Sequence, residues 1–82
     1  MKDTFVSQIK NNTMKQEYYV NNNAQLNGDH EVHVSTCEYV TMMYNRTDLG
    51  EFETCEAAIR EAKKRYQRSN GCIYCCKPCH TS

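Results

Sequence analysis

The sequence predicts a small α+β domain, in which a small antiparallel β-sheet packs on one amphipathic helix and zinc staples a C-terminal turn. β-prone runs separated by turn signals precede residue 53, and a single helical pattern follows at about 55–68. Six cysteines occur in 82 residues that include no tryptophan. A polar chain of this length builds only a marginal hydrophobic core, so a covalent or metal cross-link is expected.

The N-terminal residues are polar, rich in Asn, Lys and Thr, and show no sustained hydrophobic period. We therefore expect residues 1–16 to form a flexible arm and residues 17–82 to form the single domain.

Two short β-prone runs open this domain, at residues 18–20 and 31–34. In the second run, Val32 and Val34 alternate with His33, which places the histidine on the opposite face of a strand. The residues between the runs have loop composition, with a turn signal at 27–29. We therefore expect these two runs to form an antiparallel pair of strands joined by a loop. Residues 37–44 continue in β-prone composition, 45–48 predict a turn, and 49–52 predict a short edge strand.

The helical pattern at 55–68 has the end signals of a real helix. Thr54 is a suitable N-cap, Glu56 lies in the first turn where the helix dipole favours an anion, and Gly71 suits the exit. The apolar face comprises Cys55, Ala58, Ile59, Ala62 and Tyr66.

The cations of this helix are the candidate nucleic-acid contacts. Ten Lys and Arg balance ten Asp and Glu, so no net field steers the chain toward nucleic acid. Cations at these positions are also typical of a solvated helix, and nucleic acid therefore stays the weaker partner prediction beside an unknown protein. The candidate contacts are Arg60, Lys63, Lys64, Arg65 and Arg68.

No apolar run is long enough to span a bilayer or to form a signal peptide, which predicts a cytoplasmic protein without membrane contact. In a reducing compartment, clustered cysteines indicate metal binding or redox chemistry more often than disulfides.

Four residues have the spacing of a tetrahedral metal site. A Cys-x2-Cys turn at Cys72 and Cys75 presents two thiolates to one ion, and His33 and Cys37 supply the second pair from a strand end. The predicted cofactor is zinc. The overlapping Cys-x2-Cys leaves the register open, with Cys76, Cys79 and His80 as alternative ligands.

The order of these residues resembles the Ada-type zinc-binding module of bacterial proteins. The resemblance covers about residues 31–76: His33-x3-Cys37, a strand ending near Phe52, an alanine-rich helix, and Gly71-Cys72-x2-Cys75. It implies a small sheet flanked by a helix, with one tetrahedral zinc. Ada has cysteine at the first ligand position as its methyl acceptor, whereas this chain has His33, so methyl transfer is not implied. The C-terminal sequence also resembles that of small bacterial proteins to which no activity is assigned.

Two alternatives use the same cysteines differently. Three disulfides could staple the domain, or Cys72/Cys75 or Cys76/Cys79 could form a thiol redox pair, although redox cysteines usually precede a helix whereas these follow it. Cys55, on the apolar helical face, is expected to be a buried thiol. No catalytic constellation is present in the sequence, which predicts a zinc-stabilised interaction module rather than an enzyme.

Overall fold

A computed structural model describes residues 15–81. Its backbone forms one four-stranded sheet, one α-helix and two short 3₁₀ helices. In chain order the elements are β1 (Gln16–Asn21), β2 (His30–Val34), the first 3₁₀ helix (Glu38–Met42), β3 (Arg46–Phe52), α1 (Cys55–Lys63), β4 (Ser69–Gly71) and the second 3₁₀ helix (Lys77–Cys79).

The strand order is β3-β1-β2-β4, with β1 antiparallel to both of its neighbours. The predicted antiparallel pair is confirmed, since Tyr18 pairs with Val34 and Val20 with Val32. The sheet is mixed rather than antiparallel, however, because β4 pairs with β2 in parallel. The short polar sequence of β4 carries no strand signal. Backbone hydrogen bonds beyond each end hold it in place, from the Cys72 amide to the Val32 carbonyl (2.9 Å) and from the His30 amide to the Arg68 carbonyl (2.7 Å).

The core lies between α1 and one face of the sheet. Val20 and Val32 on the central strands are fully buried, as are Ala58 and Ala62 on the helix. Burying each valine contributes about 1.5–3 kcal/mol, and the small alanines let the helix backbone approach the sheet closely. Packing therefore fixes α1 directly above the paired valines.

α1 is shorter than the predicted helix at 55–68. The Thr54 hydroxyl accepts from the Ala57 amide at 3.2 Å, as expected of an N-cap, but the helix ends at Lys63. The next residues turn so that Tyr66 can stack on the His30 ring, with centroids 3.7 Å apart, and donate its hydroxyl to Asn22. These tertiary contacts outweigh the helical propensity of the basic residues that follow Lys63.

Within the segment at 37–44, residues Glu38–Met42 form a 3₁₀ helix rather than extended chain. It buries Val40 and Met43, and the Arg46 guanidinium donates to the carbonyls of both residues. β3 begins at Arg46, which pairs with Asn21 of β1, and residues 46–48 therefore lie in a strand rather than in the predicted turn. β3 is an edge strand, as predicted for 49–52, and its Gly50 has a φ of +102°.

The first described strand begins at Gln16, and the predicted arm lies almost wholly outside the described residues. Within residues 15–81, no helix has both the length and the apolar character needed to cross a membrane.

Candidate metal centre

Four side chains converge where β2 ends and β4 gives way to a turn. His33, Cys37, Cys72 and Cys75 each direct one ligand atom into this place, and the four atoms all lie within 4.8 Å of one another. These are the four residues that the sequence spacing singled out. Two segments about 40 residues apart therefore meet at one point.

His33 lies on the face of β2 opposite Val32 and Val34, yet it is only 2% exposed. Its two ring nitrogens have different partners: Nδ1 faces Cys75 Sγ at 3.9 Å, and Nε2 lies 3.0 Å from the Glu31 carboxylate. A carboxylate only accepts, so Nε2 is the ring nitrogen that donates to Glu31, and Nδ1 is the one that faces the sulfurs.

Backbone amides point at the sulfurs of Cys72 and Cys75, one from the turn that contains them and one from the end of β2. The Tyr74 amide donates to Cys72 Sγ at 3.4 Å, and the Val34 amide donates to Cys75 Sγ at the same distance. The turn itself closes through the Cys76 amide, which donates to the Cys72 carbonyl at 2.8 Å. Hydrogen bonds of this kind stabilise sulfur in its thiolate form.

The spacing of the four atoms suits a small tetrahedral ion. Zn–S bonds of about 2.3 Å and Zn–N bonds of about 2.1 Å set tetrahedral ligand atoms about 3.6–3.8 Å apart. The 3.9 Å between Cys75 Sγ and His33 Nδ1 is close to this value, and all four ligand atoms lie within 4.8 Å of one another.

The site also perturbs its titratable groups. Burial, together with the Cys37 and Cys76 sulfurs, raises the pKa of the Cys75 thiol well above its ordinary value. The His33 hydrogen bond lowers the pKa of the Glu31 carboxyl. A bound divalent cation would reverse the first effect, because a coordinating thiol loses its proton.

The alternative ligands lie outside this group of four. Cys76 is buried, with Sγ 3.9 Å from Cys75 Sγ, and His80 Nδ1 lies 2.9 Å from the Gly71 carbonyl oxygen. Cys79 forms a disulfide with Cys55. Cys55 is therefore buried as expected but is not a free thiol.

Sequence reasoning missed two features, the Cys55–Cys79 disulfide and the role of Glu31. The two cysteines are 24 positions apart, and nothing in their local sequence marks them as partners. Glu31 did carry a signal, since a residue two positions from His33 in a strand lies on the same face.

Ion pairs engage part of the basic surface of α1 and the turn after it. Lys64 Nζ lies 3.1 Å from Glu61, and the Arg68 guanidinium contacts Asp29 through two nitrogens at 3.0 and 3.1 Å. These contacts are those of an ordinary solvated surface.

An aromatic surface adjoins the cluster. Tyr39 stacks on Tyr74 with ring centroids 5.3 Å apart, and both line a cleft of about 280 Å³ together with Gln25, Glu31 and Cys72. Tyr74 is 69% exposed, and Met42 in the same 3₁₀ helix as Tyr39 is 70% exposed. Large side chains thus remain solvent-accessible beside the cysteine cluster.

Comparison of the chain with protein-family models, curated proteins and solved structures finds no match. The geometry of the cluster is therefore the basis for a proposed function.

Proposed function

We propose that this chain is a small, zinc-stabilised interaction module without catalytic activity. The observation that carries the proposal is the convergence of four ligand atoms, from His33, Cys37, Cys72 and Cys75, to within 4.8 Å of one another. Two of these residues come after β1 in the chain and two come after α1, so one ion would join the first and last parts of the domain.

Zinc is the ion that this donor set favours. Three thiolates and one imidazole form a soft, closed tetrahedral set of the kind found in structural zinc sites. A hydrolytic zinc site keeps one position open for water, whereas here four protein side chains would supply all four ligands. The ligand order, which resembles that of the Ada-type module, also supports one tetrahedral zinc.

The energetic role of the ion follows from the size of the domain. Structural zinc sites contribute apparent binding free energies of about 10–16 kcal/mol. This exceeds the net folding free energy that a core of a few valines and alanines provides once the conformational entropy lost on folding is subtracted. Metal binding would then supply most of the free energy of folding.

A protein is the partner that we propose. Exposed Tyr39, Met42 and Tyr74 stand next to the cluster, and aromatic and methionine side chains are enriched at the cores of protein interfaces. Nucleic acid is the second candidate, through Arg60, Lys63, Lys64, Arg65 and Arg68. The ion pairs of Lys64 and Arg68 leave it less well supported.

Metal content and metal-dependent folding test the zinc site. The full chain, purified without chelator, should contain one zinc per molecule by elemental analysis. Chelation should abolish its cooperative thermal transition in circular dichroism, and added zinc should restore it. Cys37→Ser should behave like the chelated protein, whereas Thr36→Ser, next to it in the same turn, should not. A metal-free chain with an unchanged melting curve would refute the proposal.

A further inference from the structure

Glu31 stands directly behind the histidine of the cluster. Its Oε1 lies 3.0 Å from His33 Nε2, on the side of the ring away from the sulfurs, while Nδ1 faces Cys75 Sγ. Both residues belong to β2, at positions i and i+2, and so project from the same face. The imidazole is thus held between a carboxylate and the thiol cluster.

The carboxylate is itself held in place. Its other oxygen, Oε2, accepts a hydrogen bond from Gln25 Nε2 at 3.0 Å, so each oxygen of Glu31 has its own donor. The Glu31 side chain is only 21% exposed. A carboxylate with both oxygens engaged and limited access to water has little freedom to rotate away from the ring.

We propose that Glu31 is a positioning residue that makes Nδ1 the metal-binding atom of His33. By accepting the Nε2 hydrogen, Glu31 selects the tautomer whose free lone pair lies on Nδ1 and fixes the orientation of the ring. It also makes the imidazole a stronger donor, as carboxylates behind metal-bound histidines do. This inference rests on the proposed zinc site and concerns how one of its ligands is prepared.

Zinc affinity, measured by competition with a chromophoric chelator, tests the proposal. Glu31→Ala should weaken binding on the order of 10- to 100-fold, the usual effect of removing such a partner. Glu31→Gln, which keeps an acceptor oxygen but loses the charge, should recover part of the loss. Glu51→Ala removes an exposed strand carboxylate on the far edge strand and should leave the affinity unchanged.

A double-mutant cycle separates positioning from general stability. A thiolate has no tautomers, so replacing the histidine by His33→Cys should remove the need for Glu31. In that background Glu31→Ala should cost less than about twofold in affinity. An equal loss in both backgrounds would show that Glu31 acts on the fold and would overturn the proposal.

Nitrogen-15 NMR of the histidine ring gives a second, independent measurement. In the zinc-loaded chain, the spectrum should show metal on Nδ1 and hydrogen on Nε2 of His33. Metal on Nε2 would refute the role of Glu31 even if zinc binds tightly. If the wild-type chain binds no zinc at all, the proposed function fails first, so the two failures are distinguishable.

Discussion

Cys75 Sγ lies 3.9 Å from His33 Nδ1, although 42 positions separate the two residues in the sequence. β4 produces this proximity, because it pairs in parallel with β2 up to Val32 and Gly71. The cysteine turn therefore begins beside His33. Of the two adjacent cysteines at that turn, Cys75 belongs to the group of four ligand atoms, while Cys76 packs into the core.

The first prediction tests this register. Cys75→Ala should lose the zinc ion, because it removes one of four ligands. Cys76→Ala should still bind one zinc per chain and should lower only stability, because it shortens a side chain that is 1% exposed. Elemental analysis after gel filtration measures the first effect and thermal melting the second. If zinc is retained in Cys75→Ala but lost in Cys76→Ala, the fourth ligand is Cys76 rather than Cys75, and the prediction is wrong.

The second prediction concerns the Cys55–Cys79 disulfide, which ties the start of α1 to the second 3₁₀ helix. Closing a loop with a sequence separation of 24 stabilises a fold by about 3.5 kcal/mol in the chain-entropy model. The double variant Cys55→Ala/Cys79→Ala should lose about this much in urea denaturation of the zinc-loaded protein.

Reductant supplies the control for this effect. It should lower the stability of the wild-type chain and leave the double variant unchanged. The denatured, zinc-free wild-type chain should gain the mass of two hydrogens on reduction, whereas three disulfides would add about six. No mass change would show that the pair is not bonded.

The third prediction concerns Gly71, the last residue of β4. A Cβ atom added there would lie 2.9 Å from the Cys76 carbonyl oxygen and 2.9 Å from Cys79 Cβ. The backbone of the cysteine turn would have to move, and overpacking of this kind costs about 1–3 kcal/mol. Gly71→Ala should therefore reduce both stability and zinc affinity.

Gly50→Ala is the matched comparison for this effect. Its φ of +102° makes alanine strained, but the nearest side-chain atom, on Phe52, is 3.9 Å from the added Cβ. This variant should lose stability and keep the zinc affinity of the wild type. Chelator competition and urea denaturation of both variants decide the point, and equal zinc affinities in the two would contradict the prediction.

Much of this protein could be derived from local sequence signals. Alternation of valine and histidine in residues 31–34 indicated a strand with His33 on its opposite face. Thr54 and the spacing of the apolar residues located the start of α1. The spacing of His33 from Cys37 and of Cys72 from Cys75 selected the four residues that the structure brings together. Each of these signals depends on residues within one element or one turn of each other.

Only the tertiary structure determined the rest, because it depends on residues far apart in the sequence. The three residues of β4 have no strand propensity and pair only because β2 offers its edge. α1 ends at Lys63 because Tyr66 stacks on His30, and Cys55 pairs with Cys79 because packing of the helix and the C-terminal turn brings their sulfurs together. Local propensities are worth less than about 1 kcal/mol per residue, and long-range packing outweighs them at these places.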